Sequence, residues 1–214
     1  MASFFNLTLD TTAPSFPLVK INGDALYTTS TAVTLTVNIS DSSTAGYQMK
    51  VWGISGVASE ADAKWEAFAA SKNITLTSGD GLKTVYVKVR DDVGNESAVG
   101  SDTITLDTAV PVVTISSGPD KTKISTVEGF NTVVFNFMSD VVFAEYEVRI
   151  VPATNSTHEA GTVLDFGSSA NGFPADTNKP ITITGEQVAG ASPDDGVKII
   201  KVFVKTPAGI WSVA

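Results

Sequence analysis

The chain has no cysteine. That removes disulfides, thiolate nucleophiles and thiolate metal sites together, so the fold must hold by burial alone. Long hydrophobic runs are also missing: no apolar stretch approaches the ~18 residues that a membrane helix needs. Basic clusters are missing too. The 14 Lys and Arg are outnumbered by 23 Asp and Glu, a net charge of −9, and no basic patch or stripe stands out. Phosphate neutralisation needs clustered cations, so no nucleic-acid partner is expected. The acidic surface disfavours anionic membranes, and no membrane partner is expected either.

Catalytic patterns are equally scarce. The single histidine, His158, sits in the polar run Asn155-Ser156-Thr157-His158-Glu159 and reads as a solvated loop side chain. No Gly-x-Ser-x-Gly, Walker or His-Glu-x-x-His pattern occurs. The carboxylates fall mostly in turns and between repeats, as solubilising residues do, rather than as a hydrolytic pair. The chain therefore reads as non-enzymatic, with no cofactor and no metal. Asp10, Asp91, Asp92, Asn95 and Asp107 could offer oxygens to calcium. Turn chemistry accounts for Asp91-Asp92-Val93-Gly94-Asn95 without an ion.

What is present is alternation. Val33, Leu35, Val37 and Ile39 alternate with Thr34, Thr36 and Asn38, and Val85, Val87 and Val89 alternate with polar neighbours. Period 2 in β-branched residues reads as half-buried strands. Gly, Asn, Asp and Ser clusters separate the strands at the spacing of a sandwich. One short helix is expected in the first half, where Ser59-Glu60-Ala61-Asp62 resembles a capping box ahead of Trp65 and Phe68.

The chain also repeats itself. Residues 79–97 align without gaps on 194–212, sharing Asp80/Asp195, Gly81/Gly196, Lys83/Lys198, Val87/Val202, Val89/Val204, Gly94/Gly209 and Ser97/Ser212. Ser40-Asp41 and Tyr47 match Ser139-Asp140 and Tyr146. A period near 100 residues is a tandem of domains rather than a solenoid. The expected division is an arm over 1–14, one domain over 15–108 and a second over 109–214.

These residues resemble the bacterial-type immunoglobulin-like module of surface proteins and tailed-phage virion proteins. The first copy carries the pattern through Trp52, Trp65, Phe68, Asp80–Asp91, Gly94-Asn95-Glu96-Ser97 and Ile104–Thr108. The second departs from it, with no counterpart of Trp52 and a rewritten 152–193 region. The resemblance implies an all-β fold: two tandem immunoglobulin-like β-sandwiches with an extra N-terminal strand. Residues 1–6 carry no secretory pattern, so the expected setting is a bacteriophage virion assembled in the host cytoplasm, with the protein decorating capsid or tail. The alternative is a bacterial surface adhesin or carbohydrate-binding module.

One more repeat concerns the ends. Residues 7–14, Leu-Thr-Leu-Asp-Thr-Thr-Ala-Pro, match 104–111, Ile-Thr-Leu-Asp-Thr-Ala-Val-Pro. The later stretch closes the first unit, whereas the second unit shows no such closing strand after Ser212. Residues 3–10 are therefore expected to be a spare strand, with Phe4, Phe5, Leu7 and Leu9 as anchors. The strand over 197–205, with Ile200, Val202 and Val204, is expected to be an apolar edge that accepts it. The arm could exchange between copies of this chain, dock on another virion protein or lie on its own first domain. Trp211 is the candidate aromatic for a host cell-surface glycan.

Overall fold

The alternating segments do become strands. The computed structural model describes residues 5–213, and the chain divides into two compact units, Met1–Asp107 and Thr108–Ala214. No helix among the described residues is long and apolar enough to cross a membrane.

Among its described residues, unit 1 has eight strands: β1 (Leu18–Ile21), β2 (Tyr27–Thr28), β3 (Ala32–Asn38), β4 (Gln48–Trp52), β5 (Glu66–Ala67), β6 (Ser71–Thr75), β7 (Gly81–Arg90) and β8 (Gly100–Leu106). They form two sheets in the orders β1-β3-β6 and β2-β8-β7-β4-β5. The inward sets Val33, Leu35 and Val37, Met49 and Val51, and Val85, Val87 and Val89 meet in one aliphatic core. Each fully buried aliphatic of this kind contributes roughly 1.5–3 kcal/mol of gross transfer free energy. Trp52 and Tyr86, Cα partners across β4 and β7, stack with centroids 5.5 Å apart.

Among its described residues, unit 2 has six strands and one helix: β9 (Val113–Ser117), β10 (Thr132–Ser139), β11 (Phe143–Val151), β12 (Thr162–Phe173), β13 (Lys179–Thr184), α1 (Gly185–Ala191) and β14 (Ile199–Lys205). Its sheets run β13-β10-β9 and β12-β11-β14. Here aromatic rings join the aliphatics in the core. Phe137, Phe143, Tyr146 and Phe173 touch ring to ring, with Phe143 and Phe173 4.9 Å apart and Phe137 and Tyr146 5.5 Å apart.

The all-β expectation holds, and two details are corrected. The short helix lies in unit 2. Ser59–Asp62 forms only a turn, in which the Ser59 hydroxyl donates to Asp62 Oδ2 at 2.7 Å, and Glu66–Ala67 goes on to pair with β4 as β5. Trp65 and Phe68 do not bury together. Phe68 packs on the core and its N–H donates to Tyr47 O at 3.0 Å. Trp65 instead lies under Lys50 and Arg90, 4.8 and 4.4 Å from its ring. A helix this short is marginal on its own, so edge pairing and the cation contacts decide the conformation. The true capping box is Thr184 with Gln187: Gln187 N–H donates to Thr184 Oγ1 at 3.2 Å, and Thr184 N–H donates to Gln187 Oε1 at 2.7 Å. The second correction is the N-terminal strand, since residues 5–17 contain none.

Candidate functional site: an open sheet edge

Unit 1 shows how such a sandwich closes. Strand β7 has β4 on one side and β8 on the other. Its pairing with β8 runs Gly81↔Leu106, Lys83↔Ile104, Val85↔Asp102 and Val87↔Gly100. Ile104 and Leu106 turn inward and are 1% exposed. Strand β8 also serves the other sheet, because Ile21 N–H donates to Asp102 Oδ2 at 2.6 Å. It carries β2 as well, in the parallel pairs Tyr27↔Thr105 and Thr28↔Leu106. One strand thus satisfies three neighbours.

Among its described residues, unit 2 has the counterpart of β7 but neither of β8 nor of β2. Strand β14 pairs with β11 from Glu145↔Lys205 to Val151↔Ile199, and among the described residues no strand lies on its other side. Beyond β14 the chain turns back, and Ser212 N–H donates to Val204 O at 2.9 Å while Val204 N–H donates to Ser212 Oγ at 3.2 Å. Unit 1 repeats this closure at Val89 and Ser97. The open stretch of β14 is therefore Ile199–Val202. Val204 is not an acceptor position, because its outward backbone groups are taken.

A cleft of about 690 Å³ lies along this stretch, lined by Val133, Phe135, Ile183, Val188, Ile200 and Val202 among others. A second hollow of about 300 Å³ reaches from Ile200 and Val202 to Val113 and Val213. The cations Lys121, Lys123 and Lys198 line the larger cleft, and no carboxylate does. Strand β9 is half to fully exposed along its length, including Ile115. Residues 119–124, where a β2 would lie, are irregular. Both features follow from the missing neighbour, since unit 1's β8 is what pairs with β2 and is laced to β1.

The expected site residues fall into three groups. Ile200 and Val202 meet at the cleft. Phe5, Leu7 and Leu9 are 84%, 86% and 86% exposed and belong to neither core. Phe4 lies outside the described residues. The chain is tied to unit 1 from Asp10 onward, where Asn95 Nδ2 donates to Asp10 O at 3.4 Å and Ser15 N–H donates to Asp41 Oδ1 at 3.1 Å. Trp211 is not a bare platform, because the His158 ring stacks on it at 4.5 Å and 12°. His158 is correspondingly half-buried rather than a freely solvated loop residue.

The acidic residues at the arm's root are turn and anchor groups. Asp91 accepts from Val93 N–H at 3.0 Å, Asn95 N–H at 2.8 Å and Asn95 Nδ2 at 2.7 Å. Desolvation pushes its carboxyl up, but these hydrogen bonds outweigh it and hold the carboxyl below its ordinary value. Ser15 likewise holds Asp41 low. Desolvation and the adjacent Asp41 push the Tyr47 phenol up to about 12.

The cleft-lining residues Ile115, Phe135, Ile183 and Val188 were not legible as a site. They are ordinary inward positions of unit 2, and the cleft beside them borders the flank of β14 that no described strand covers. The β8 repeat at the N-terminus was the available signal.

No family model matches the chain, and no curated protein does. Its structural neighbours are immunoglobulin-like and fibronectin-III-like domains. Among solved structures it is similar to the fibronectin(III)-like modules of Clostridium thermocellum CbhA, with 9% identity over 92% of this chain and 90% of that one and a TM-score of 0.45. It is also similar to the human OSCAR ligand-binding domain, with 12% identity over 94% and 96% and a TM-score of 0.39. The D00-D0 domain of intimin gives 14% identity over 92% and 96% and a TM-score of 0.35.

Proposed function

We propose that this chain is a non-enzymatic structural protein of a bacteriophage virion surface, on capsid or tail, and that it joins its assembly by β-strand addition through the N-terminal arm. The observation that carries this reading is the edge of β14, with one flank paired, the other open, and an apolar cleft beneath it. An exposed apolar edge is an aggregation hazard unless something pairs with it. Strand addition supplies main-chain hydrogen bonds along the edge and apolar side chains for the cleft. The virion setting rests on the resemblance described above and on a cysteine-free chain, which folds equally well in a reducing compartment. A glycan-binding role through Trp211 is not adopted, since His158 takes one of its faces.

The test is the solution mass of the whole chain, across concentration, against a variant lacking residues 1–10. Concentration-dependent association of the whole chain and a monomeric variant are expected. Two monomers of equal mass behaviour at every concentration overturn strand addition between copies of this chain.

A further inference from the structure

We propose that unit 1 carries a receptor for the carboxylate of an acidic saccharide, built by Arg90, Lys50 and Trp65 on the outer face of β4 and β7. The site is independent of the edge of β14.

The register of the sheet gathers the cations. Lys50 and Lys88 are Cα partners across β4 and β7, and Gln48 and Arg90 are the next pair on the same face. Met49, Val51, Val87 and Val89 alternate with them and enter the core, so these four polar side chains lie outward. Like charges directly opposite each other destabilise a sheet. Lys88 is neutralised twice, by Glu60 at 3.1 Å and by Glu96 at 2.6 Å. The nearby Glu66 is taken by Lys72. Among the described residues, neither Lys50 nor Arg90 has a carboxylate at ion-pair distance. The corresponding strands of unit 2 differ. There Arg149 meets Glu147 at 2.6 Å and Lys205 meets Glu145 at 3.3 Å, while Lys201 is capped by the carbonyl oxygens of Thr154 and Ser156. An anion is what the unit 1 face lacks, in a chain whose net charge is −9.

Arg90 is held in place without being satisfied. Its Nε–H and Nη2–H both donate to Gln48 Oε1, and its guanidinium lies 4.4 Å from the centre of the Trp65 ring. Lys50 Nζ lies 4.8 Å from the same centre. Nη1 has no acceptor among the described residues, and no side-chain polar atom there is both buried and unpartnered, so Nη1 is open to solvent. Together with the second hydrogen of Nη2 it leaves a planar fork free. Such a fork matches a carboxylate through two parallel hydrogen bonds. Because its orientation is already fixed, little freedom is lost when the anion arrives. One carboxylate on this face already responds to both cations. The hydrogen bond from Lys88 first, and the charges of Lys50 and Arg90 with it, hold the Glu96 carboxyl below its ordinary value.

Trp65 decides the ligand class. It directly precedes β5, and the pair Glu66↔Met49 sets it opposite Lys50, at the edge of the sheet. Its ring is half-exposed beside the fork. A bare inorganic anion uses only the cations. An aromatic surface next to them favours a ligand that carries its carboxylate on a ring with an apolar face. A uronic-acid unit has both, whereas an acidic peptide has the charge without the ring.

The probe is a uronic-acid tetramer, titrated into the whole chain at low salt by calorimetry and by the indole N–H resonance of Trp65, which Trp65→Phe assigns. The methyl ester of the tetramer keeps the ring and removes the charge. Tetraglutamate keeps the charge and removes the ring. The tetramer is expected to shift the Trp65 resonance saturably, and both comparison ligands to bind about tenfold more weakly. Arg90→Lys keeps the charge but loses the fork, and Lys50→Gln removes the second cation. Each should weaken binding about tenfold. Lys205→Gln in unit 2 should change nothing. Thermal melts report whether the variants fold. Lys50→Gln relieves the repulsion with Lys88, so it carries the test if Arg90→Lys melts early. No saturable shift at millimolar tetramer, or equal binding of the methyl ester, overturns the site. A folded Arg90→Lys or Lys50→Gln chain that binds like the parent overturns the role of that residue. Equal binding of tetraglutamate overturns the saccharide and makes the ligand an acidic peptide.

Discussion

Among the described residues, two units built on one pattern differ by two strands, β8 and the β2 that it carries, and the difference shows what β8 does. In unit 1, β8 pairs with β7, bonds to β1 and carries β2. In unit 2 the strands that correspond to β1 and β7 survive, as β9 and β14, because each keeps its partner, β10 or β11. The counterpart of β2 does not form, because only β8 would pair with it. The core beneath also changes, because a cluster of aromatic rings joins the aliphatics in unit 2. Each large ring buries more area than an aliphatic and adds favourable ring contacts.

The sharpest way to break this comparison is to place a charge at the same strand position in each setting. Ile104→Asp puts an unpaired carboxylate into a sealed core and should destabilise unit 1 by ~3–5 kcal/mol, enough to unfold it in a thermal melt. Leu7→Asp stands at the matching place on the exposed arm. It should leave the melt of dilute protein within ~0.5 kcal/mol and abolish concentration-dependent association. If both variants melt alike, the arm is not a β8 equivalent.

A peptide of residues 3–12 offered to a chain lacking residues 1–10 sharpens it further. The peptide should raise the stability of unit 2 alone, by about 2.7 kcal/mol at a hundredfold excess over its Kd. Hydrogen exchange resolved by segment checks this: protection should grow along 119–124 and 198–202 and stay unchanged across β7. Equal gains in both units would mean nonspecific binding.

A smaller difference is expected in the cores. Val87 and Val202 hold matching positions, one beneath β8 and the other beside the open cleft. Val87→Ala leaves a void in a closed core and should cost about 2 kcal/mol, whereas Val202→Ala borders space already open and should cost about 1 kcal/mol in the monomer. Denaturant unfolding of the two variants measures the gap, and assembly should narrow it.

Most of the fold was legible in the sequence because its signals are local. Period-2 valines mark β3 and β7 whatever surrounds them, and the match of 79–97 to 194–212 exposes the tandem. The misplaced helix shows where local reading stops. Ser59-x-x-Asp62 and Thr184-x-x-Gln187 look alike as caps, yet only the second has a following segment free of edge pairing, with Gln187 Nε2 donating to Leu164 O at 2.8 Å. The edge of β14 was legible from the missing β8 repeat. The withdrawal of Val204 was not, because it depends on Ser212 folding back across it. The partnership of Trp211 with His158 joins residues far apart in sequence, and no spacing announces it.

The finest test of the comparison is alkaline. Tyr47 and Tyr146 correspond, and each donates its hydroxyl to a carboxylate: Tyr47 to Asp41 Oδ2 at 2.9 Å, Tyr146 to Asp165 Oδ2 at 3.4 Å. Desolvation first, then the neighbouring carboxylate, raises both phenols above the ordinary 10.0, with Tyr47 at about 12. A phenol whose folded value is raised stabilises the fold in its neutral form. That contribution is complete below pH 10.0 and is lost as pH climbs through about 12. Urea unfolding of unit 1 should therefore weaken over that interval. Tyr47→Phe should cost about 1 kcal/mol at neutral pH through the lost hydrogen bond, and should flatten the alkaline slope. The late component of the ultraviolet tyrosine titration should vanish with it. A variant that keeps both the slope and the late component would show that the Tyr47–Asp41 bond, at the root of the arm, does not hold the entry to unit 1.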